Sequence, residues 1–165
     1  MKMSPGMRAL WLTAILTLVT DQISKAWVVQ GLNLKTLGRI EVLPSLVEFR
    51  MAWNRGVNFG LGASGSELMR WGLVALAMAI SAWVIWWVRH ERLGRRAQIF
   101  AGLLVGGALG NVLDRLLYGA VADFLNVTCC GIDNPWSFNF ADVGVFAGAI
   151  GLALFAGPSQ PQKTP

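Results

Sequence analysis

The chain has 165 residues, enough for one domain, and 55% of them are hydrophobic whereas only 14% are charged. A water-soluble domain carries about 25% charged residues, so this composition excludes an ordinary soluble protein and indicates a protein of the lipid bilayer. The net charge of +5 does not indicate a nucleic-acid-binding protein, because the basic residues flank apolar segments and form no exposed stripe.

The first apolar segment, about residues 9–29, is long enough to cross the membrane as a helix. Basic residues precede it, as they would precede the core of a cleaved secretory signal peptide. No small-residue cleavage site follows, and Asp21 and Gln22 stand where one would be expected. A retained transmembrane helix is therefore favoured. Its last turns carry Asp21 and Lys25, which are four residues apart and can form an ion pair.

The next segment, residues 30–67, contains an alternating pattern. Between residues 47 and 53, large apolar residues alternate with smaller or charged ones, which is typical of a β-strand. Residues 40–43, followed by Pro44 and Ser45, predict a hairpin partner. We therefore expect a small sheet that rests on the membrane surface. A loop with incidental alternation is the alternative.

Three further apolar segments follow, at about residues 69–88, 97–117 and 139–157. Together with the first, they predict an all-α membrane protein, namely a four-transmembrane-helix bundle with a small periplasmic β element after the first helix. The whole chain, residues 1–165, is expected to form a single integral membrane domain.

The distribution of lysine and arginine predicts the orientation of the bundle. Four arginines lie between the second and third spans, within residues 89–96, whereas residues 118–137 contain no lysine or arginine. Both termini and the arginine-rich loop are therefore expected in the cytoplasm, and residues 30–67 and 118–137 in the periplasm. Residues 30–67 contain four basic residues of their own, so the rule is not obeyed perfectly.

This topology brings polar side chains from separate parts of the chain to the outer face of the membrane. Polar groups are costly in lipid and need a structural or functional reason. The residues concerned are Asp21, Lys25, Asn54, Arg55, Asn58, Asn111, Asp114, Arg115, Asp123, Asn139 and Asp142. For Asp21, Lys25, Asp114 and Arg115, structural ion pairing and a functional role are equally consistent with the pattern, because their charges can neutralise each other.

Asp123 and Asp142 differ from these residues, because each lies among apolar neighbours and has no basic residue beside it. Two carboxyl groups in one site of low dielectric constant tend to share a proton. The ionised member can take a proton from water while the protonated member polarises a peptide carbonyl. The spacing alone therefore suggests, but does not establish, an aspartic protease.

Other interpretations are less consistent with the sequence. A proton-coupled transporter would need polar groups near the bilayer midplane, and a non-catalytic scaffold leaves the two aspartates unexplained. No His or Cys cluster has the spacing of a metal site, so no metal is expected. The glycine-rich residues 106–110 lack the Lys and Ser/Thr of a phosphate-binding loop and predict close helix packing instead.

Five stretches of the sequence resemble the bacterial lipoprotein signal peptidases, also called signal peptidase II. They occur in the family's order, at residues 21–25, 54–60, 106–115, 121–124 and 138–142. The third stretch reads Gly-Gly-Ala-Leu-Gly-Asn-Val-Leu-Asp-Arg and is the most specific. The chain departs from the family at Asn58, where Ala is frequent, and in residues 126–136, which contain Cys129 and Cys130.

The resemblance implies an aspartic-type intramembrane endopeptidase that removes the signal peptide from diacylglyceryl prolipoproteins, cleaving just before the lipid-modified cysteine. It assigns Asp123 and Asp142 as the catalytic dyad. The residues implied to bind substrate or support the site are Asn54, Gly56, Asn111, Asp114, Arg115, Asn139, Ala141, Asp21 and Lys25.

The resemblance also implies partners and a location. The partners are lipid-modified prolipoprotein signal peptides, membrane lipid and globomycin-type inhibitors, with no nucleic acid. No cofactor is implied, and a monomer is expected. The protein would be a multi-pass protein of the bacterial cytoplasmic (inner) membrane, with its active site at the periplasmic face.

Overall fold

The structure is a computed structural model that describes residues 5–56, 65–128 and 134–157. Asn58, Cys129 and Cys130, at which the sequence departs from the family it resembles, lie outside these described residues. The elements, in chain order, are helix α1 (Pro5–Lys25), a π-helix (Ala26–Gly31), helix α2 (Leu34–Leu37), strands β1 (Arg39–Leu43) and β2 (Val47–Asn54), helices α3 (Gly65–His90) and α4 (Arg95–Tyr118), strand β3 (Val121–Val127) and helix α5 (Phe140–Phe155).

Three helical segments of the described chain are long and apolar enough to cross a membrane: Met7–Gly31, Glu67–His90 and Arg95–Tyr118. They confirm the first three predicted spans, with ends that differ by a few residues. Helix α5 has 16 residues, fewer than the roughly 20 that a span requires. The predicted count of four spans is thus confirmed for three helices, and the fourth segment is a shorter apolar helix.

Helix α4 lies at the centre of the bundle and packs against α1, α3 and α5. Glycines make this close packing possible. A Cβ atom on Gly106 would collide with the backbone of Ala14 in α1, and one on Gly107 with the backbone of Ala141 in α5. The structure therefore agrees with the interpretation of residues 106–110 as a helix-packing motif.

The sheet has three antiparallel strands in the order β1-β2-β3. The predicted hairpin of β1 and β2 is found, with a turn in which the Leu46 amide donates to the Leu43 carbonyl at 3.0 Å. Strand β3 lies within residues 118–137, for which the sequence predicted only a periplasmic location and no strand. Most of its side chains are buried, so its sequence shows no alternation of apolar and polar residues.

A small apolar core holds the sheet against the π-helix and α2. Its buried residues are Val28, Val29, Leu34, Ala122 and Phe124, and Phe49 and Met51 of β2 pack against them. The rings of Phe49 and Phe124 meet edge to face, with centroids 5.8 Å apart. This core fixes β3, which carries Asp123, beside the carboxyl-terminal end of α1.

Candidate active site

Asp123 and Asp142 reach the site from two different elements. Asp123 lies on β3, opposite Ala52 of β2, and only 3% of its surface is exposed. Asp142 is the third residue of α5 and is half-buried. The sheet and the start of α5 thus deliver one carboxyl group each to the same face of the bundle.

Asn139 begins α5 and orients Asp142. Its side-chain oxygen accepts from the Asp142 amide at 2.9 Å, and the Asp142 carboxylate accepts from the Asn139 amide at 3.3 Å. This reciprocal arrangement is a capping box, which satisfies amides that the first helical turn leaves unpaired. The sequence Asn-Phe-Ala-Asp therefore sets both the start of the helix and the position of its carboxylate.

Two asparagine side chains connect the aspartates. The Asn139 Nδ2 atom donates to Asp123 Oδ1 at 2.6 Å and to Asn111 Oδ1 at 3.2 Å. The Asn111 Nδ2 atom in turn donates to Asp142 Oδ1 at 2.8 Å. A continuous chain of hydrogen bonds, from Asp123 through Asn139 and Asn111 to Asp142, therefore holds both carboxyl groups in fixed orientations.

The surroundings of Asp123 favour its protonated form. Burial, and then the nearby charge of Asp142, raise the pKa of Asp123 to about 6, although hydrogen bonds from Asn54 and Asn139 and the charge of Lys25 oppose the rise. Two carboxyl groups that interact in this way resist simultaneous ionisation. The pair can therefore hold one proton, as general acid–base chemistry on a single substrate requires.

Asn54 lies at the end of β2, where a tight turn begins. Its side-chain oxygen accepts from the Gly56 amide at 3.0 Å. Gly56 has a φ of +90°, and a Cβ atom there would lie 2.7 Å from Leu73 Cδ1. These constraints explain Asn54 and Gly56 of the Asn-Arg-Gly sequence, and the Asn54 side chain forms a hydrogen bond with Asp123.

A second polar cluster, which we call the lysine hub, consists of Asp21, Gln22, Lys25 and Asp114. The Lys25 Nζ atom lies 2.7 Å from Asp21 Oδ2 and 2.8 Å from Asp114 Oδ2. The Gln22 Nε2 atom donates to the same two carboxylates, at 3.1 and 3.0 Å. The predicted pairing of Asp21 with Lys25 is thus found, and Asp114 shares the same lysine.

The remaining predicted residues lie around these groups. Arg115 donates to the Asn111 carbonyl at 3.3 Å and interacts electrostatically with both Asp123 and Asp142. Ala141 is fully buried against α4. Gln22 was not among the predicted site residues, although its position beside Asp21 in an otherwise apolar helix is unusual. Within the described residues, no three His, Cys, Asp or Glu side chains group to hold a metal ion.

Replacing Asp123 by Asn is expected to raise the thermal stability of the protein at neutral pH. Because the folded-state pKa, about 6, exceeds the ordinary 3.8, wild-type stability should fall as pH rises between these values, by up to about 3 kcal/mol. Melting temperatures in detergent at about pH 4 and about pH 7.5 would measure this difference. The melting temperature of Asp123→Asn should exceed that of the wild type only at the higher pH. Glu41→Gln, at an exposed site on β1, should show no increase at either pH. Equal gains at both pH values would contradict the raised pKa.

Comparison with known proteins places the whole site within a described family. The family model for signal peptidase (SPase) II matches residues 13–156. The lipoprotein signal peptidase of Methylorubrum extorquens is 41% identical over 141 residues, which cover 84% of this chain and 79% of the relative. That of Rhodopseudomonas palustris is 40% identical over 148 residues, covering 86% and 87%.

Solved structures share the fold. One, a bacterial membrane enzyme at 1.9 Å resolution, superimposes with a TM-score of 0.74 and 25% sequence identity, covering 93% of this chain and 92% of that one. A second, at 2.3 Å resolution, gives a TM-score of 0.69 over the same coverage. Since the matched region contains both aspartates, their asparagine links and the lysine hub, the chain belongs to the signal peptidase II family.

Proposed function

We propose that this chain is an aspartic-type endopeptidase that removes the signal peptide from diacylglyceryl prolipoproteins, with Asp123 and Asp142 as its catalytic dyad. The observation that carries the proposal is the pair of carboxyl groups joined through Asn139 and Asn111. Membership of the signal peptidase II family supports a protease that acts on prolipoproteins.

In the proposed reaction, the dyad holds one proton and activates a water molecule. The ionised carboxylate takes a proton from the water as its oxygen attacks the scissile carbonyl carbon. The protonated carboxyl group donates to the carbonyl oxygen, on which negative charge develops. Collapse of the tetrahedral intermediate breaks the C–N bond. The amine of the lipid-modified cysteine leaves with a proton from the dyad, and the signal peptide gains a carboxyl group.

The asparagines and Arg115 support this chemistry in different ways. Asn111 and Asn139 donate to the aspartates and limit their rotation, so that little reorganisation is needed during attack. Arg115 supplies a positive charge near both carboxyl groups, which favours the state in which one of them is ionised. Asn54, beside Asp123 at the exposed end of β2, is placed to contact the substrate backbone.

We propose that α5 completes a fourth membrane crossing, with residues 139–157 forming the span. Three large apolar residues on one side of α5, Phe146, Ile150 and Leu154, are exposed by 61–70%, and their four-residue spacing places them on one helix face. An exposed apolar face of this kind fits the hydrocarbon core of a bilayer. The four helices and the sheet then form one domain, residues 1–165, whose site residues all come from a single chain, as in a monomer.

The proposed orientation places both termini and the Arg-rich loop in the cytoplasm of a bacterial inner membrane, and the dyad at the periplasmic face. In a variant with Cys129 and Cys130 replaced by Ser, Glu41→Cys should react with an impermeant maleimide added to spheroplasts, whereas Glu91→Cys should not. Both positions are exposed in the structure. The excess of arginine near residue 91 is the physical reason. Reaction of the cysteine at position 91 but not at position 41 would show that the orientation is the opposite of the one proposed.

The function itself is tested by cleavage of a lipidated precursor by the purified protein in lipid bilayers. We expect a shift of the precursor band on a gel to the size of the mature lipoprotein, and inhibition of that shift by globomycin. The same precursor without its diacylglyceryl group should remain intact. No cleavage of the lipidated form, or equal cleavage of both forms, would contradict the proposed substrate.

A further inference from the structure

The two carboxylates of the lysine hub accept hydrogen bonds from the backbone amides of the residues directly before Asp123 and Asp142. Asp114 Oδ2 accepts from the Ala122 amide at 3.0 Å, and Ala122 directly precedes Asp123. Asp21 Oδ1 accepts from the Ala141 amide at 2.9 Å, and Ala141 directly precedes Asp142. The two carboxylates of the hub therefore fasten β3 and the first turn of α5 to the same buried point.

Lys25 is what allows those two carboxylates to lie side by side. Asp21 and Asp114 are both fully buried, and each contacts the same Lys25 Nζ atom. Without a cation between them, two buried carboxylates repel each other, and one becomes protonated or moves away. Gln22 provides a second, uncharged bridge between the same two groups, so the hub is joined at two points.

We propose that Lys25 is a positioning residue that sets the separation of Asp123 and Asp142 through the amides of Ala122 and Ala141. This inference rests on the proposed function in that it gives the hub a role in the same reaction. Lys25 contacts neither aspartate of the dyad through a hydrogen bond. Its effect passes through Asp21 and Asp114 to two backbone segments, which the asparagine links and the backbone pairing of Leu125 with Phe138 also join.

The test measures how strongly the two aspartates of the dyad interact. The groups that act on Asp123 are Asp142 and Asn139 from the start of α5, Asn54 from β2, Lys25 from α1 and Arg115 from α4. In the wild type, Asp142→Asn should lower the pKa of Asp123, because it removes a like charge. The size of that decrease, followed by carbon NMR of labelled aspartate in micelles, reports the separation of the pair.

The same comparison is then made in the Lys25→Met background. Loss of the Lys25 charge changes the pKa of Asp123 by the same amount whether residue 142 is Asp or Asn. That change cancels when the two pKa values are subtracted, and the difference measures only the coupling between Asp123 and Asp142. We expect this coupling to shrink, and kcat to fall by about 10²-fold with little change in KM, since a misplacement of about 1 Å can have that effect. Lys25→Arg retains the charge and more than one donor, and should restore part of both quantities.

Arg39→Met is the matched control, because it breaks the ion pair of Arg39 with Glu48 in the same sheet. It should change neither the coupling nor kcat. Unchanged coupling in Lys25→Met would overturn the proposal, and so would an equal loss of coupling in Arg39→Met.

If Lys25→Met does not fold, Gln22→Leu is tested instead, because it removes the other bridge of the hub. It should reduce the coupling to a smaller extent, and an unchanged coupling in Gln22→Leu would then overturn the proposal. Reduced coupling in a protein that cleaves no lipidated precursor would refute the proposed function and retain the positioning role.

Discussion

Asp123→Asn and Asp142→Asn are each expected to lower the turnover of a lipidated precursor by about 10²- to 10⁴-fold, the usual effect of losing a general acid or base. Asparagine has nearly the shape of aspartate and keeps an oxygen that can accept from Asn139 or Asn111. It cannot exchange a proton with water or with the leaving amine. The structure should therefore persist while the chemistry fails.

The measurement is the initial rate with purified variants in lipid, together with the melting temperature of each variant. Asp133→Asn serves as a control, because Asp133 follows β3 in the sequence but lies outside all five stretches that resemble the family. It should process the precursor at the normal rate. Near-normal turnover by either dyad variant, in protein shown to be folded, would contradict the assignment of that residue.

Asn139→Ala is expected to have the next largest effect, because a single side chain serves both aspartates. The substitution removes the donor to Asp123 and the acceptor for the Asp142 amide. Loss of an N-cap lowers stability by about 1 kcal/mol, and loss of the link to Asp123 should reduce kcat by roughly 10²-fold. Both the melting temperature and the rate should therefore fall.

Asn139→Ser separates the two roles of this residue. Serine is also a good N-cap, but its side chain is too short to reach Asp123 as the amide does. We expect Asn139→Ser to recover most of the stability and little of the rate. A variant that recovers both would show that Asn139 matters only as a helix cap, and the link between the aspartates would then have no catalytic role.

The sequence patterns predicted the helices well, because long apolar segments have few alternatives in a bilayer. The hairpin of β1 and β2 was predicted from its alternating pattern. Strand β3 was missed because it is buried on both faces, and a short run such as Val-Ala-Asp-Phe-Leu has no period that distinguishes a strand from a loop or helix end. The missed strand is the element that brings Asp123 to the site.

Individual polar contacts were predictable only when they were local. Asp21 and Lys25 are four residues apart in one helix, so their pairing follows from helical geometry. The contacts from Asp114 to the Ala122 amide and from Asp21 to the Ala141 amide depend on how close α1, β3 and α5 come to α4. That approach depends in turn on Gly107 and Gly110, whose packing partners no local pattern reveals.

Asp123 and Asp142 together are expected to hydrolyse the bond before the lipid-modified cysteine. Mass spectrometry of the products from a lipidated precursor, incubated with wild-type protein and with Asp142→Asn, tests it most directly. The wild type should yield a mature protein that begins with the diacylglyceryl cysteine, together with an intact signal peptide that has a free carboxyl terminus, and the variant should yield neither. Cleavage at another bond by the wild type would contradict the proposed cleavage site, and the same products from Asp142→Asn at a comparable rate would contradict the catalytic role of Asp142.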